Sequence, residues 1–345
     1  MMTMNLDVPI IAPLRPLDQL SAPPSRLPTP IDRSKILVVA KRTRIERDIE
    51  LSGLSFEDVV KRYEDAGENT KDILESHAEQ LHNNALVKKL LSPAQVRYRE
   101  AFSDQELNNA SLVITLGGDN HFQDISHRIT GETPILGVAN DHRSYGALLS
   151  CRCEYLEEFL TKLERGEYKI SAWPTIEVEV GGKKLPPATC DVLVSEARRA
   201  EMSRHRLTIN DSVGHPLYNS GGRGVSQKSS GLLIAVGAGS NNRAWARAAS
   251  RFVFPNGLSF PKTARRAAFV LTEASNTHPG IDEDSNELPP LTTGDLIDGE
   301  EMLITSLNDS EGEVMVDSSK RLPFPRGTKA IIRLAKKVLW VVSPE

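Results

Sequence analysis

The sequence predicts a two-domain α/β protein: a doubly wound parallel sheet in the N-terminal half, followed by a mainly antiparallel β domain. Three observations carry this. A chain of 345 residues is too long for one modest hydrophobic core. Between Lys35 and Val138 four short apolar runs alternate with helical stretches, as parallel βα units do. After Ile176 the apolar residues alternate one by one and run into paired glycines, the signature of hairpins.

Residues 1–33 read as an arm, because Pro9, Pro13, Pro16, Pro23, Pro24, Pro28 and Pro30 preclude regular helix or central strand. Such an arm either wraps a neighbouring subunit through Ile10, Ile11 and Leu14 or remains a disordered tail. The α/β domain is expected over 34–150. Lys35–Ala40 is its first buried strand, with Lys41, Arg42 and Arg44 at the C-terminal end, where open parallel sheets bind ligands. These cations either meet phosphates or form a solvated basic turn. Ile73, Leu74, Ala78, Leu81 and Ala85 predict a helix that buries this stripe. Gln95–Glu100 is a second strand, Leu112–Leu116 a third and Pro134–Val138 a fourth.

The organising stretch is Ser111–Arg128, SLVITLGGDNHFQDISHR. Leu112–Leu116 is too short and too β-branched for a helix, and Gly117 and Gly118 stop it. Phe122, Ile125 and Ile129 follow at helical spacing. A glycine turn between strand and helix aims backbone N–H groups at an anion, with the positive helix end behind them. Asp119 stands inside that turn, where a phosphate would repel it. The alternatives are a helix N-cap and a catalytic base or metal-positioning group.

The β-rich domain is expected over 151–328. It opens with an amphipathic helix from Tyr155 to Leu163, closed by Gly166. Ile176, Val178 and Val180 then lead into a hairpin at Gly181-Gly182. Further strands are expected at Asp191–Val194, Arg206–Ile209, Leu232–Val236, Ala267–Leu271, Met302–Leu307 and Val314–Val316. The acidic, proline-containing stretch 273–300 reads as a loop or partly ordered insertion. Residues 329–345 form a last segment, in which Ala330–Val342 is a candidate to return to the first domain.

Composition narrows the function classes. A net charge of −4 with well-mixed charges offers no broad basic face, which argues against nucleic acid as a main partner. Without a run of 18 apolar residues or a leader pattern, a membrane partner is not expected either. Cys151, Cys153 and Cys190 cannot all pair and show no zinc spacing, which fits reduced thiols in the cytoplasm. The proline-rich start fits a mitochondrial leader only in part.

These pieces, in one order between about residue 35 and residue 320, resemble the NAD kinases, and most closely their mitochondrial-type branch. They are VVAKRTRIERD, the GGD turn, TPILGV, Asn140-Asp141 with Arg143-Ser144 and Gly146, Ser195-Glu196, and QKSSGLLIAVGAGS. The resemblance implies an α/β domain, a β-rich domain and a site between them. It implies transfer of a phosphoryl group from ATP, or polyphosphate, to the 2′-hydroxyl of the adenosine ribose of NAD, giving NADP. Asp119 is then the general base. Mg²⁺ would travel on the nucleotide phosphates, and no protein metal site is expected. The resemblance also implies a homodimer or homotetramer.

Several positions depart from the family pattern. Gly117-Gly118-Asp119-Asn120-His121 stands for Gly-Gly-Asp-Gly-Thr. Asn120 is expected to tolerate a positive φ, and His121 to donate to a phosphate oxygen in place of the Thr hydroxyl. Ser195-Glu196 stands for Asn-Glu, which contacts adenine and ribose. Gly237-Ala238-Gly239-Ser240-Asn241-Asn242, then Ala244-Trp245, stands for Thr-Gly-Ser and an aromatic. Small residues there admit a dinucleotide, or make a plain turn. Trp245 either stacks on a ring or fills a core. Lys228 and Ser230 fall in a well-matched segment, with Ser230 where many bacterial members carry Asp. Asp317-Ser318 resembles a late Asp-Gly. Two other readings stay open: a catalytically impaired dinucleotide-binding or regulatory protein, and a lipid or sugar kinase with a GGD turn.

Overall fold

The computed structural model describes residues 10–11, 13–144, 146–198, 201–217, 225–240, 245–251, 254, 257–274, 280–281, 287–288 and 291–345. The chain divides into two compact units, Ser25–Ser171 with Leu339–Glu345, and Met1–Pro24 with Ala172–Val338.

The first unit holds a parallel sheet in the order Val96–Tyr98, Ile36–Ala40, Leu112–Leu116, Ile135–Ala139. Its three longer strands are buried from end to end, so their β-branched and leucine side chains pack on both faces. Ala40 pairs with Leu116 and Leu116 with Val138, so the strands end in register. The loops that begin at Lys41, Gly117 and Asn140 therefore leave along one edge of the sheet.

The helices of this unit are α1 (Arg44–Ser52), α2 (Phe56–Asp65), α3 (Thr70–Leu90), α4 (Asp104–Asn109), α5 (Asp119–Ser126) and α6 (Leu156–Arg165). Thr43 and Glu46 close α1 with reciprocal side-chain bonds, and Gly53 ends it in the left-handed region at φ 67°. Helix α6 buries Leu156, Phe159, Leu160 and Leu163 against the sheet strands. The first unit therefore extends to Ser171 rather than ending at the expected boundary of 150.

Helix α3 departs from expectation. Its buried residues are Ile73, Ser76, Asn84 and Val87, while Leu81 stays 40% exposed. The inward face is half polar because it meets the polar loop that starts at Asn140.

In the second unit two sheets form. One runs Ile10–Ile11, Leu291–Ile297, Arg266–Thr272, Gly231–Ala235, Asp191–Glu196, Glu311–Val316, Lys320–Pro325. The other places Val225–Ser229, Ser203–Asn210, Glu301–Ser306 and the start of Lys329–Ser343 side by side. Pairing is antiparallel except at Ile10–Ile11. Lys169–Val180 turns through Gly181-Gly182 to pair Glu179 with Lys184, the expected hairpin. Lys329–Ser343 contributes to both units: Ile332 pairs with Met302 in the second, and Val341 with Ile135 in the first.

Two expectations change here. Within 273–300, Leu291–Ile297 is a buried strand rather than a loop. Its acidic Asp295 is fully buried because Arg266 and Arg15 neutralise it. The described part of the arm folds on its own chain: the Arg15 backbone N–H donates to Asp295 at 3.0 Å, and its guanidinium to Glu300 at 2.9 Å. Among the described residues no helix is long and apolar enough to cross a membrane.

Candidate functional site

Helix α5 begins at Asp119, with Gly118 as its N-cap residue and no side-chain cap. Asp119 is thus not the N-cap. Its carboxylate turns to the loop after the fourth strand, where Oδ2 accepts from the Ala147 N–H at 2.8 Å and Oδ1 from the Leu148 N–H at 3.0 Å. Gly146 makes this approach possible, since a Cβ there would stand 1.9 Å from Oδ1. Each carboxylate oxygen keeps lone-pair capacity for another donor.

Asp119 lines a hollow of about 390 Å³, together with Lys41, Arg42, Thr43, Arg44, Arg47, Ser76, Gln80, Gly118, Asn120, His121, Asp141, Arg143, Ser144 and Gly146. The N-terminal ends of α1 and α5 both border it, and each presents the positive end of its helix. Five side chains of the lining are cationic and two are carboxylates. The cations differ in what they are free to do. Arg44 is held by a bidentate pair with Glu68 at 2.6 and 2.7 Å, which raises its pKa, and lies over the Tyr63 ring. Arg42 pairs with Glu50 and Glu100, Arg47 with Asp48, and Arg143 with Asp72. Lys41 makes no ion pair among the described residues, and burial, then Arg47, lowers its pKa. A desolvated, unpaired ammonium suits an arriving anion.

Several expected contacts fall elsewhere. Asn120 is the second residue of α5, exposed to the hollow at an ordinary φ, so the Asn needs no left-handed tolerance. His121 turns inward and its Nε2 sits 2.8 Å from the Val39 carbonyl, so Nε2 carries the proton. Burial lowers its pKa to about 4, leaving a neutral ring whose Nδ1 is an acceptor. It is therefore not the expected phosphate donor. The ring packs on Gly117, where a Cβ would meet it at 3.0 Å. Asn140 points away from the hollow, its amide 3.3 Å from Asn84 and its carbonyl accepting from Asn83. Asp141 is buried, bonded to Ser76 and to Gln80 at 2.8 Å. Ser144 borders the hollow beside Gly118.

The second unit separates what the sequence grouped. Ser195 is buried, and its Oγ has no hydrogen-bond partner among the described residues. Glu196 accepts from the Ala197 N–H and from Ser310. It lines a small hollow with Glu201, Met202, Arg204, Lys228 and Asp309. Ser230 donates to Glu273. At the opposite end of the Asp191–Glu196 strand lies the glycine turn. A Cβ on Gly239 would meet the Cys190 carbonyl at 2.3 Å, and one on Gly237 the Pro261 carbonyl at 2.2 Å. These glycines are required by the protein's own packing. Ser240 bonds the Gly237 carbonyl at 3.3 Å. Asn241, Asn242 and Ala244 lie outside the described residues, as does the Trp245 side chain, although Trp245 starts a short helix, α7 (Trp245–Ala249). Asp317 is anchored by the N–H groups of Thr189, Cys190 and Asp191 at 2.7–3.0 Å. Burial, and then Asp317, push the neighbouring Asp191 carboxyl up to about 8.

Sequence reading missed Thr43, Ser76 and Gln80, which line the hollow. Thr43 was legible as the start of a T-x-x-E capping box. Ser76 and Gln80 gave no signal, because a polar helix face reads as solvated. Among the described residues no three His, Cys, Asp or Glu side chains gather to hold a metal.

No family model matches the sequence. A probable NADH kinase of Oryza sativa subsp. japonica is 25% identical over 257 residues, 69% of this chain and 73% of that one. The NAD kinase of Archaeoglobus fulgidus, solved in complex with ATP, superposes with a TM-score of 0.56 at 16% identity, covering 76% of this chain and 89% of its own. Yeast NADH kinase, solved with NADH, gives a TM-score of 0.59 at 11% identity, covering 97% of this chain and 94% of its own. The α/β unit with its parallel sheet and the antiparallel β unit together make the NAD kinase fold.

Proposed function

We propose that this protein is an NAD(H) kinase that transfers a phosphoryl group from ATP to the 2′-hydroxyl of the adenosine ribose. The observation that carries the reading is the Asp119 carboxylate, fixed by two backbone amides at the rim of a cationic hollow that two helix N-termini border. Anion-binding groups and a fixed carboxylate are the two parts that phosphoryl transfer to an alcohol needs. The similarity to a probable NADH kinase and to an NAD kinase that binds ATP supports the same choice.

In this reading Asp119 accepts the hydroxyl proton as the new O–P bond forms and the bond to the leaving nucleoside diphosphate breaks. Lys41 and the α5 N-terminus stabilise charge on the phosphoryl oxygens. Mg²⁺ bound to the nucleotide phosphates would add neutralising charge; among the described residues the chain offers no cage of its own for it. The test is incubation of the purified protein with NAD⁺ or NADH, Mg²⁺ and ATP or polyphosphate, with chromatography of the products. NADP⁺ or NADPH is the expected product. Dinucleotide binding in a calorimeter without product would favour a non-catalytic role, and phosphate transfer to a lipid or sugar alone would refute both.

A further inference from the structure

The side of α3 that carries Asp72, Ser76, Glu79, Gln80, Asn83 and Asn84 repeats at helical spacing, and every one of these side chains bonds to the loop that starts at Asn140. Three of these bonds hold His142. Its Nδ1 lies 2.8 Å from Glu79 Oε2 and its Nε2 2.8 Å from Asp72 Oδ1, while its backbone N–H donates to Glu79 at 2.9 Å. Two ring nitrogens that both face carboxylate oxygens must both carry protons, so the ring is an imidazolium. Three residues after the nearby Arg143, the same loop reaches Gly146, and Ala147 and Leu148 hold Asp119.

We infer that His142 is a positioning residue for Asp119: clamped between Asp72 and Glu79 of α3, it sets the loop whose amides orient the carboxylate, and makes that orientation pH-dependent. The inference rests on the function proposed above only for its consequence in turnover. The charged groups that face His142 are Asp72 and Glu79 on α3 and, on its own loop, Arg143, whose Nε is 3.3 Å from Asp72. The neighbouring Asp141 carboxylate accepts from Ser76 and Gln80 through one oxygen, Oδ2. The hydrogen bonds to Asp72 and Glu79 raise the His142 pKa, and that to His142 lowers the Asp72 pKa. A raised histidine pKa gives a contribution that is complete below 6.5, its ordinary value, and is lost as pH rises through the shifted value. The clamp therefore holds in mild acid and releases on the alkaline side.

The test reads the amide of Ala147 in ¹⁵N-labelled full-length protein by TROSY spectra between about pH 5.5 and 9, a range that starts below the ordinary histidine value and extends well above it. The wild-type amide is expected to move with a single midpoint above 6.5. In His142→Gln that titration is lost, and in Asp72→Asn its midpoint falls towards 6.5. An amide that stays still through the His142 midpoint, or one that titrates unchanged in His142→Gln, overturns the proposal. His142 is partly exposed, and the dispersion of the variant spectra reports folding directly. The companion measurement is kcat against pH for NAD phosphorylation, where His142→Gln removes the same inflection. Absence of any NADP product refutes the proposed function and leaves the amide titration to decide the clamp.

Discussion

Gly146 carries no side chain because the Asp119 carboxylate fills the space where one would begin. Gly146→Ala is therefore expected to displace either the carboxylate or the amides that hold it. A displacement of about 1 Å costs on the order of 100-fold in rate, so kcat should fall by about that factor while KM for the nucleotide changes little. Steady-state kinetics check this, and an unchanged kcat would show that the approach of Gly146 to Asp119 is immaterial. At this scale the sequence was partly legible. Asp119 stood out because a carboxylate in an anion-binding turn is anomalous. Its true partners, Ala147 and Leu148, gave no signal, since backbone amides look alike in any sequence. His121 misled for a related reason: its ring nitrogens suggest donation, and only burial shows that one proton goes to Val39 and that the other nitrogen is an acceptor.

Among the elements, the three longer strands of the first unit were read well because they are fully buried, and a continuous apolar run between turn signals fits little besides a buried strand. Helix α3 was read on its apolar residues, yet it meets the loop at Asn140–Arg143 with polar ones, and periodicity in hydrophobicity cannot reveal a buried polar face. Leu291–Ile297 was hidden in the same way, because its Asp295 reads as exposed until Arg266 and Arg15 are seen around it. The contact between the start of α1 and the turn from α2 to α3 yields a prediction. Glu68 removes Arg44 from service by a bidentate bond. Solvent-exposed pairs of this kind contribute little to stability, because water and salt screen them, so Glu68→Gln should leave the melting temperature nearly unchanged. It should free Arg44 for the hollow and tighten binding of inorganic pyrophosphate, by about 3-fold, as read by calorimetry. Weaker pyrophosphate binding would mean that Glu68 orders the hollow rather than competing with it.

Across the whole molecule, three buried groups contribute to the dependence of stability on pH. Burial lowers His121 and His205 to about 4. Between 6.5 and about 4 the unfolded chain binds protons that the native state refuses, so stability falls as pH drops through that window. His205, with neither ring nitrogen partnered among the described residues, is the cleaner probe: His205→Leu should flatten the acid side of a melting-temperature profile. Asp191 acts in the other direction. Its value of about 8, against 3.8 ordinarily, means that its contribution is complete below 3.8 and lost as pH rises to 8. Asp191→Asn should therefore gain stability at about pH 8 relative to about pH 5, and melting curves that run parallel to the wild type would contradict both assignments. The two-unit architecture was legible from the change in periodicity, whereas the return of Lys329–Ser343 to the first unit depends on long-range strand pairing that local pattern cannot supply.

The central claim, that the Asp119 carboxylate is the proton acceptor in phosphoryl transfer, is tested most directly by the rate of NADP⁺ formation in Asp119→Asn. The amide side chain is nearly isosteric and cannot take the proton, so kcat is predicted to fall at least about 100-fold, the low end of what a general base contributes, with ATP still bound. NADP⁺ formation at the wild-type rate in Asp119→Asn would contradict the account.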